Sequence, residues 1–145
     1  MKGKRMNVKM YLNQVRTLEA VIGARKKQLD RLRKERTYLQ GVSYDRDRVQ
    51  TSGNPDPNRG SDVLLDLEYE IAQKVEASYR VRDRIIGEIE RLENPLYVQL
   101  LLLRYIDGLR FEEIACRMSY SYIHTTRLHG EALRAFAIMK EGEPG

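Results

Sequence analysis

The chain has 145 residues, enough for one domain or for one small domain with a helical extension. Hydrophobic residues make up 41% and charged residues 32%, with four Pro, ten Gly and no Trp, a balance that suits a helix-rich globular chain and excludes low-complexity classes. Net charge is +5, and the longest apolar run, Leu100 to Leu103, is far too short to span a bilayer.

Two further features place the chain in a compartment. No apolar core of a signal peptide follows the basic N-terminus. Cys116 is the single cysteine; it has no partner for an internal disulfide and is no metal site by itself. The expectation is a reducing cytoplasm with no membrane partner.

The charge is unevenly placed. Residues 1–40 carry twelve Lys/Arg against three Asp/Glu, whereas residues 62–93 carry five against nine. The remaining segments balance. The basic surplus reads either as a solvated helix face partly neutralised by the acidic segment or as a phosphate-binding surface.

Residues 8–40 carry a long helical pattern. Tyr11, Val15, Leu18, Ile22, Arg25, Leu29, Leu32, Arg36 and Leu39 recur at alternating spacings of four and three, a heptad seam. Gly41 is expected to end that helix. A loop at 41–61, dense in Gly, Pro, Asn, Asp and Ser, follows; it reads as a connector with Arg46, Arg48 and Arg59 solvated, although its length hints at use. Ser61 is the expected cap of a second helix over 62–93, whose apolar face runs through Leu64, Leu67, Ile71, Val75, Ser78, Ile85, Ile89 and Leu92. Neither helix buries its stripe alone. An antiparallel pair, basic against acidic, solves this. A homodimeric coiled coil would use the same seam.

Asn94-Pro95 marks the next boundary, since Asn caps well and Pro suits the first helical position. A helix from Pro95 to about Ile106 is expected, stopped by Asp107-Gly108. "FEEIACRM" then gives a short helix over 111–118. "SYS" makes a turn, and Ser121 can cap a helix from Tyr122 onward. On that reading the strand-like residues Tyr122 to Thr126 form its first turns, with Gly130 a weak point further along.

The spacing fits a helix-turn-helix that starts at Phe111. Its fifth position, where the helices cross, wants a small residue and has Ala115. Ile114, Met118, Tyr120 and Leu128 supply the inward apolar positions, and Thr125 fills the site that prefers a β-branched residue. The ninth position prefers Gly for a left-handed backbone and has Ser119. Leu128, Thr125 and Ala132 then point inward. The exposed front of the second helix holds Ser121, Tyr122, Ile123, His124, Thr126 and Arg127.

A recognition helix enters the major groove by that end. Arg127 can bond guanine edges bidentately or take a phosphate. Ser121, Tyr122, Thr126 and His124 can bond phosphates or base edges, and Ile123 can touch a thymine methyl. The plainer readings are an Arg127–Glu131 surface pair, a Tyr122 partly buried against the preceding helix, and a helical hairpin without a ligand.

"LRYIDGLRFEEIACRMSYSYIHTTRLHGEALRAF" resembles region 4 of bacterial sigma factors. "YIDGLRFEEIA" is similar to that family's Y-x-x-G-x-S/T-x-E-E-I/V-A/G. "DRVQTSGNPDP" and "RLHGEALRAF" extend the likeness, from about Tyr11 on, to phage and prophage late-gene transcription regulators of the ArpU and RinA type. The resemblance implies reading of bases from the start of the recognition helix, here Tyr122, Ile123 and Arg127. Tyr and Ile stand where the sigma pattern has charged residues, so the preference for the −35 element does not transfer. Arg110 stands where the family has a Ser or Thr that caps the first helix and bonds a phosphate; an arginine still reaches a phosphate, but the cap is lost. Glu113 either steadies a side chain of the recognition helix or favours its own helix N-terminus, the second being preferred. The regions that melt the −10 element have no counterpart.

Catalysis has little support. His124 and His129 lie five apart, about 140° around a helix axis, and share no ligand face. "SGNPDPNRGS" lacks the Lys-Ser/Thr of a phosphate loop. No catalytic set, cofactor or metal site is read.

The expected fold is all-α: a long antiparallel, coiled-coil-like helical hairpin over residues 1–93, then a sigma region 4-like helix-turn-helix domain over residues 94–140. The expected function is sequence-specific binding of double-stranded DNA in control of late phage or prophage genes, in a bacterial cytoplasm and with host RNA polymerase. The DNA-contacting set is Arg110, Ser121, Tyr122, Ile123, His124, Thr126 and Arg127, and the hairpin offers a homodimer surface. The rival readings are a small terminase-like packaging subunit and a polymerase-binding module that touches no DNA.

Overall fold

Local caps and apolar periodicity set most of the helix boundaries. The computed structural model describes the backbone of residues 6–45 and 59–143, with side chains for 6–37 and 62–143. Among the described residues every element is helical. These are α1 (Val8–Leu12), α2 (Gln14–Asp45), α3 (Arg59–Glu90), α4 (Pro95–Leu101), α5 (Phe111–Met118) and α6 (Tyr122–Glu141); α4 continues as a π-helical segment, Leu102–Ile106. The all-α expectation holds for these residues, and no helix among them is long and apolar enough to cross a membrane.

Asn7 caps α1, its Oδ1 accepting from the Met10 backbone N–H at 3.1 Å. Asn13 interrupts the helix for one residue, and α2 resumes at Gln14. Two boundaries differ from expectation. α2 runs through Gly41 to Asp45, and α3 starts at Arg59, which puts Ser61 inside its first turn. A single helical glycine costs only about 1 kcal/mol relative to alanine, which a long helix absorbs. Most of the 41–61 loop, with Arg46 and Arg48, lies outside the described residues, as does the side chain of Arg59.

The chain divides into two compact units, Glu19–Ala77 and Met1–Leu18 with Ser78–Gly145. In the Glu19–Ala77 unit, Leu29, Leu67 and Ile71 are buried together, with Leu32, Leu64 and Val75 packed on them. Arg33 sits 2.8 Å from Glu68 and Arg25 sits 3.6 Å from Glu70. Those ion pairs are solvent-exposed and worth at most about 1 kcal/mol each. Burial of the aliphatic side chains, roughly 1.5–3 kcal/mol apiece, is the stronger term.

In the other unit, Leu12, Val15, Ile85, Ile89, Ile114 and Phe136 are fully buried in one cluster. A polar knot joins its helices: the Glu88 carboxylate accepts from the Tyr11 hydroxyl and from the Lys140 ammonium, and Lys140 also reaches Glu143 at 2.8 Å.

Asn94 caps α4 through its Oδ1, which accepts from Leu96 N at 2.9 Å, and Pro95 takes the first helical position. The buried pairs Leu100/Leu101 and Tyr105/Ile106 repeat every five residues. A five-residue repeat suits a wider ladder than the α-helix, and Asp107 N accordingly donates to Leu102 O at 3.0 Å. The wider turn keeps Tyr105 on the core side. Gly108, at φ 74, then reverses the chain into α5.

Candidate nucleic-acid interface

α5 begins at Arg110, which is extended at φ −76 and ψ 159. Its guanidinium has only donors and caps nothing. Glu113 compensates from within the helix. Its Oε1 accepts from the Arg110 backbone N–H at 3.1 Å and from Arg110 Nε at 3.2 Å, the carboxylate half of a capping box. The backbone bond and then the side-chain bond hold the Glu113 carboxyl below its usual range. Glu113 therefore stabilises its own helix start.

At the end of α5, Ser119 adopts φ 60 and ψ 40, the left-handed conformation that glycine favours. The sequence supplies serine there, at a backbone cost of about 1–2 kcal/mol. Tyr120 N donates back to Ala115 O at 2.9 Å and closes the helix end. Ser121 then caps α6: its Oγ accepts from His124 N at 3.0 Å, and its carbonyl accepts from Thr125 Oγ1 at 2.8 Å. Tyr122 to Thr126 are the first turns of this helix, despite their strand-forming character.

The inward set lies as its spacing implies. Ile114, Ala115, Thr125, Leu128 and Ala132 are buried, and Met118 and Tyr120 half-buried. Ser121, Tyr122, Ile123, His124, Arg127 and Arg110 are exposed. Ile123 is 68% exposed, so nothing in the fold uses its side chain. Tyr122 keeps half its surface in solvent while meeting the Phe111 ring edge-on at 6.4 Å. The His124 ring packs edge-on against Tyr120 at 4.5 Å. Thr126 is the exception: it is half-buried, and its hydroxyl donates to Ile123 O at 2.9 Å.

Arg127 makes no ion pair among the described residues. Glu131 instead accepts from the Tyr97 hydroxyl at 3.3 Å. The guanidinium is thus available to an outside partner.

Cys116 is exposed. It lies one helical step past Ala115, and a short helix turns only one stripe inward.

Compared with family models, curated proteins and solved structures, the chain matches none. The reading of this surface therefore stands on its geometry and on the sequence.

One cluster behind the interface escaped the sequence reading. His129 is buried, and its Nε2 shares a hydrogen bond of 2.8 Å with the Tyr105 hydroxyl. Phe111 meets the His129 ring edge-on at 4.9 Å, and the Arg104 guanidinium lies 4.2 Å over the Phe111 ring. The signal was present: Thr125, Leu128, His129, Ala132 and Phe136 share one helical stripe, which marks His129 as a core residue.

Burial, then the charges of Lys9 and Arg104, push the His129 imidazole down to about 4 from 6.5. The folded state disfavours its protonation, so His129 contributes stability that is complete above pH 6.5 and is lost as pH falls towards 4. The expected loss is on the order of 2–3 kcal/mol. Circular-dichroism melts from pH 7 to pH 4 should show it, and His129→Gln should flatten the profile between pH 6.5 and 4.

No group of three or more His, Cys, Asp or Glu able to hold a metal occurs among the described residues.

Proposed function

We propose that the chain is a sequence-specific DNA-binding regulator of transcription, of the late-gene phage and prophage kind that its sequence resembles. On this reading α5 and α6 form a helix-turn-helix and α6 enters the major groove by its capped end. The observation that carries it is the two-sidedness of the first turns of α6. Thr125 and Leu128 are buried against α5, while Tyr122, Ile123, His124 and Arg127 stand in solvent with the chemistry to read base edges. Arg110, and Ser121 at the cap, flank them as phosphate contacts.

α2 and α3 form an antiparallel hairpin in this proposal. Arg25 meets Glu70 and Arg33 meets Glu68, so the pairing runs in opposite directions along the two helices. The hairpin sets spacing or dimerises, and host RNA polymerase is the proposed second partner, in a bacterial cytoplasm. The exposed Tyr122 and Ile123 also suit a protein contact, which keeps a polymerase-binding module without DNA as the second reading.

The test is fluorescence anisotropy with labelled duplex fragments from the late-gene region of the phage or prophage that encodes the chain, at several salt concentrations. Binding should weaken linearly in log–log form, with slope near −0.9 per phosphate neutralised. No binding by the wild type at low salt rejects the DNA reading in favour of the interaction module. A large ring by light scattering would favour a packaging subunit.

A further inference from the structure

Beside the exposed face of α6 lies a cleft of about 610 Å³. Its walls come from α1 and the start of α2, the π-helical segment, the Gly108 turn, α5 and α6. Four cations line it, Lys9, Arg16, Arg104 and Arg110, and no carboxylate does. Asn13 and the half-buried Thr126 add polar groups, and the Tyr105–His129 pair contributes polar atoms to its wall.

Several features show a built site. The Arg16 guanidinium lies directly over Gly108, whose left-handed turn brings the backbone to the cleft wall. Arg104 is fixed by donation from its Nη1 to Leu109 O at 3.0 Å and by the Phe111 ring beneath it. His129 remains uncharged above about pH 4, and Tyr105 is pushed above its usual range by burial, so neither charges the cleft near neutrality. Lys9 and Arg16 are exposed and form no ion pair among the described residues. Arg110 is paired with Glu113 at 3.2 Å, but Lys9, Arg16 and Arg104 have no carboxylate partner among the described residues, and like charges so gathered repel one another. A dianionic or phosphodiester oxygen cluster relieves that repulsion, and guanidinium forks match phosphate geometry.

We propose that this cleft binds a phosphate group. Its source is the backbone of the duplex bound by α6, because Arg110 belongs both to the cleft and to the proposed DNA-facing set, and the cleft wall includes Thr126 from the first turns of α6. That source rests on the DNA reading above; the phosphate chemistry does not. The alternative source is a free polyphosphate compound, which the test separates.

The variant to make is Lys9→Gln with Arg16→Gln, which keeps the side-chain stems; Arg104 is left intact because it packs on Phe111. Lys26→Ala with Lys27→Ala removes the same charge elsewhere on the chain. Melting temperatures for all three proteins control for folding, and Arg16→Lys, which keeps the charge, should retain most of the binding. Two titrations are read: labelled duplex by anisotropy across salt, and inorganic pyrophosphate by calorimetry.

The expected result for the cleft pair is a duplex affinity lower by about tenfold and a salt slope flatter by about one, with the control pair less affected. Pyrophosphate binding by the wild type alone, without any duplex binding at low salt, keeps the cleft, assigns it a free polyphosphate, and removes the DNA reading. Duplex binding by the cleft pair equal to that of the wild type or of the control pair, with no pyrophosphate binding, overturns the cleft and leaves the DNA reading. Binding of neither ligand by the wild type overturns both.

Discussion

Arg127→Ala should, on the proposed DNA reading, weaken binding to a cognate duplex by roughly 1–3 kcal/mol and relax discrimination at one base position. That corresponds to about 5- to 150-fold in affinity. The size follows from the setting of the side chain. Arg127 lies on the exposed side of α6, one helical step from the buried Leu128, and makes no internal ion pair among the described residues. Its removal therefore leaves the folded state nearly untouched, and the melting temperature should hold within a degree or two. A bidentate arginine–guanine contact loses two charge-assisted bonds at once. A phosphate contact would behave differently: the loss would be uniform across sequences, and the salt slope would flatten by about one. Anisotropy titrations on cognate and scrambled duplexes distinguish these outcomes. Equal binding of wild type and variant to both duplexes would remove Arg127 from the interface.

What could be read from the sequence was what depends on near neighbours along the chain. Asn94-Pro95 and Ser121 announce helix starts because a cap is a contact over two or three residues, and both caps form. The seam from Tyr11 to Arg36 announces a buried stripe because helical period alone places it; Val15, Ile22 and Leu29 are buried and the rest half-buried. The inward set around Ala115 was legible for the same reason. Gly41 misled because glycine is a weak stop inside a long helix, as Gly23, Gly87 and Gly130 also show within α2, α3 and α6. The five-residue ladder at Leu102–Ile106 was not legible, since a run of leucines has no inherent phase.

The basic cleft lay further beyond reach. Lys9 and Arg16 come from the first twenty residues, while Arg104 and Arg110 come from the last third. Only the packing of α1 near α6 gathers them. Charge counts place the positive surplus along residues 1–40 as a whole. The fold divides it: Arg25 and Arg33 are matched by acids of α3, whereas Lys9 and Arg16 face the cleft.

Glu88→Ala should lower stability by roughly 3 kcal/mol, at the lower end for a broken buried pair. Glu88 is 8% exposed and lies 77 residues from Tyr11 and 52 from Lys140, so it ties α1, α3 and α6 together. Without it, the Tyr11 hydroxyl loses its acceptor. Lys140 keeps Glu143 and its place over the Tyr11 ring, which is why the loss stays at that lower end. Glu88→Gln should cost less, since an amide oxygen still accepts one of the two bonds. The pH dependence has a definite sign. Burial pushes the Glu88 carboxyl up, but the bonds from Lys140 and Tyr11 outweigh it and hold the group below its ordinary 4.5. Its contribution is therefore complete above pH 4.5 and is lost as pH falls through the lower folded value. The window lies below that of His129, so the two losses separate on one melting profile: His129→Gln removes the step between pH 6.5 and 4, and Glu88→Ala removes the step below 4.5. Chemical denaturation at pH 7 measures the magnitude. A Glu88→Ala protein as stable as the wild type at pH 7, with the same acid limb, would show that the knot contributes nothing beyond the apolar packing around it.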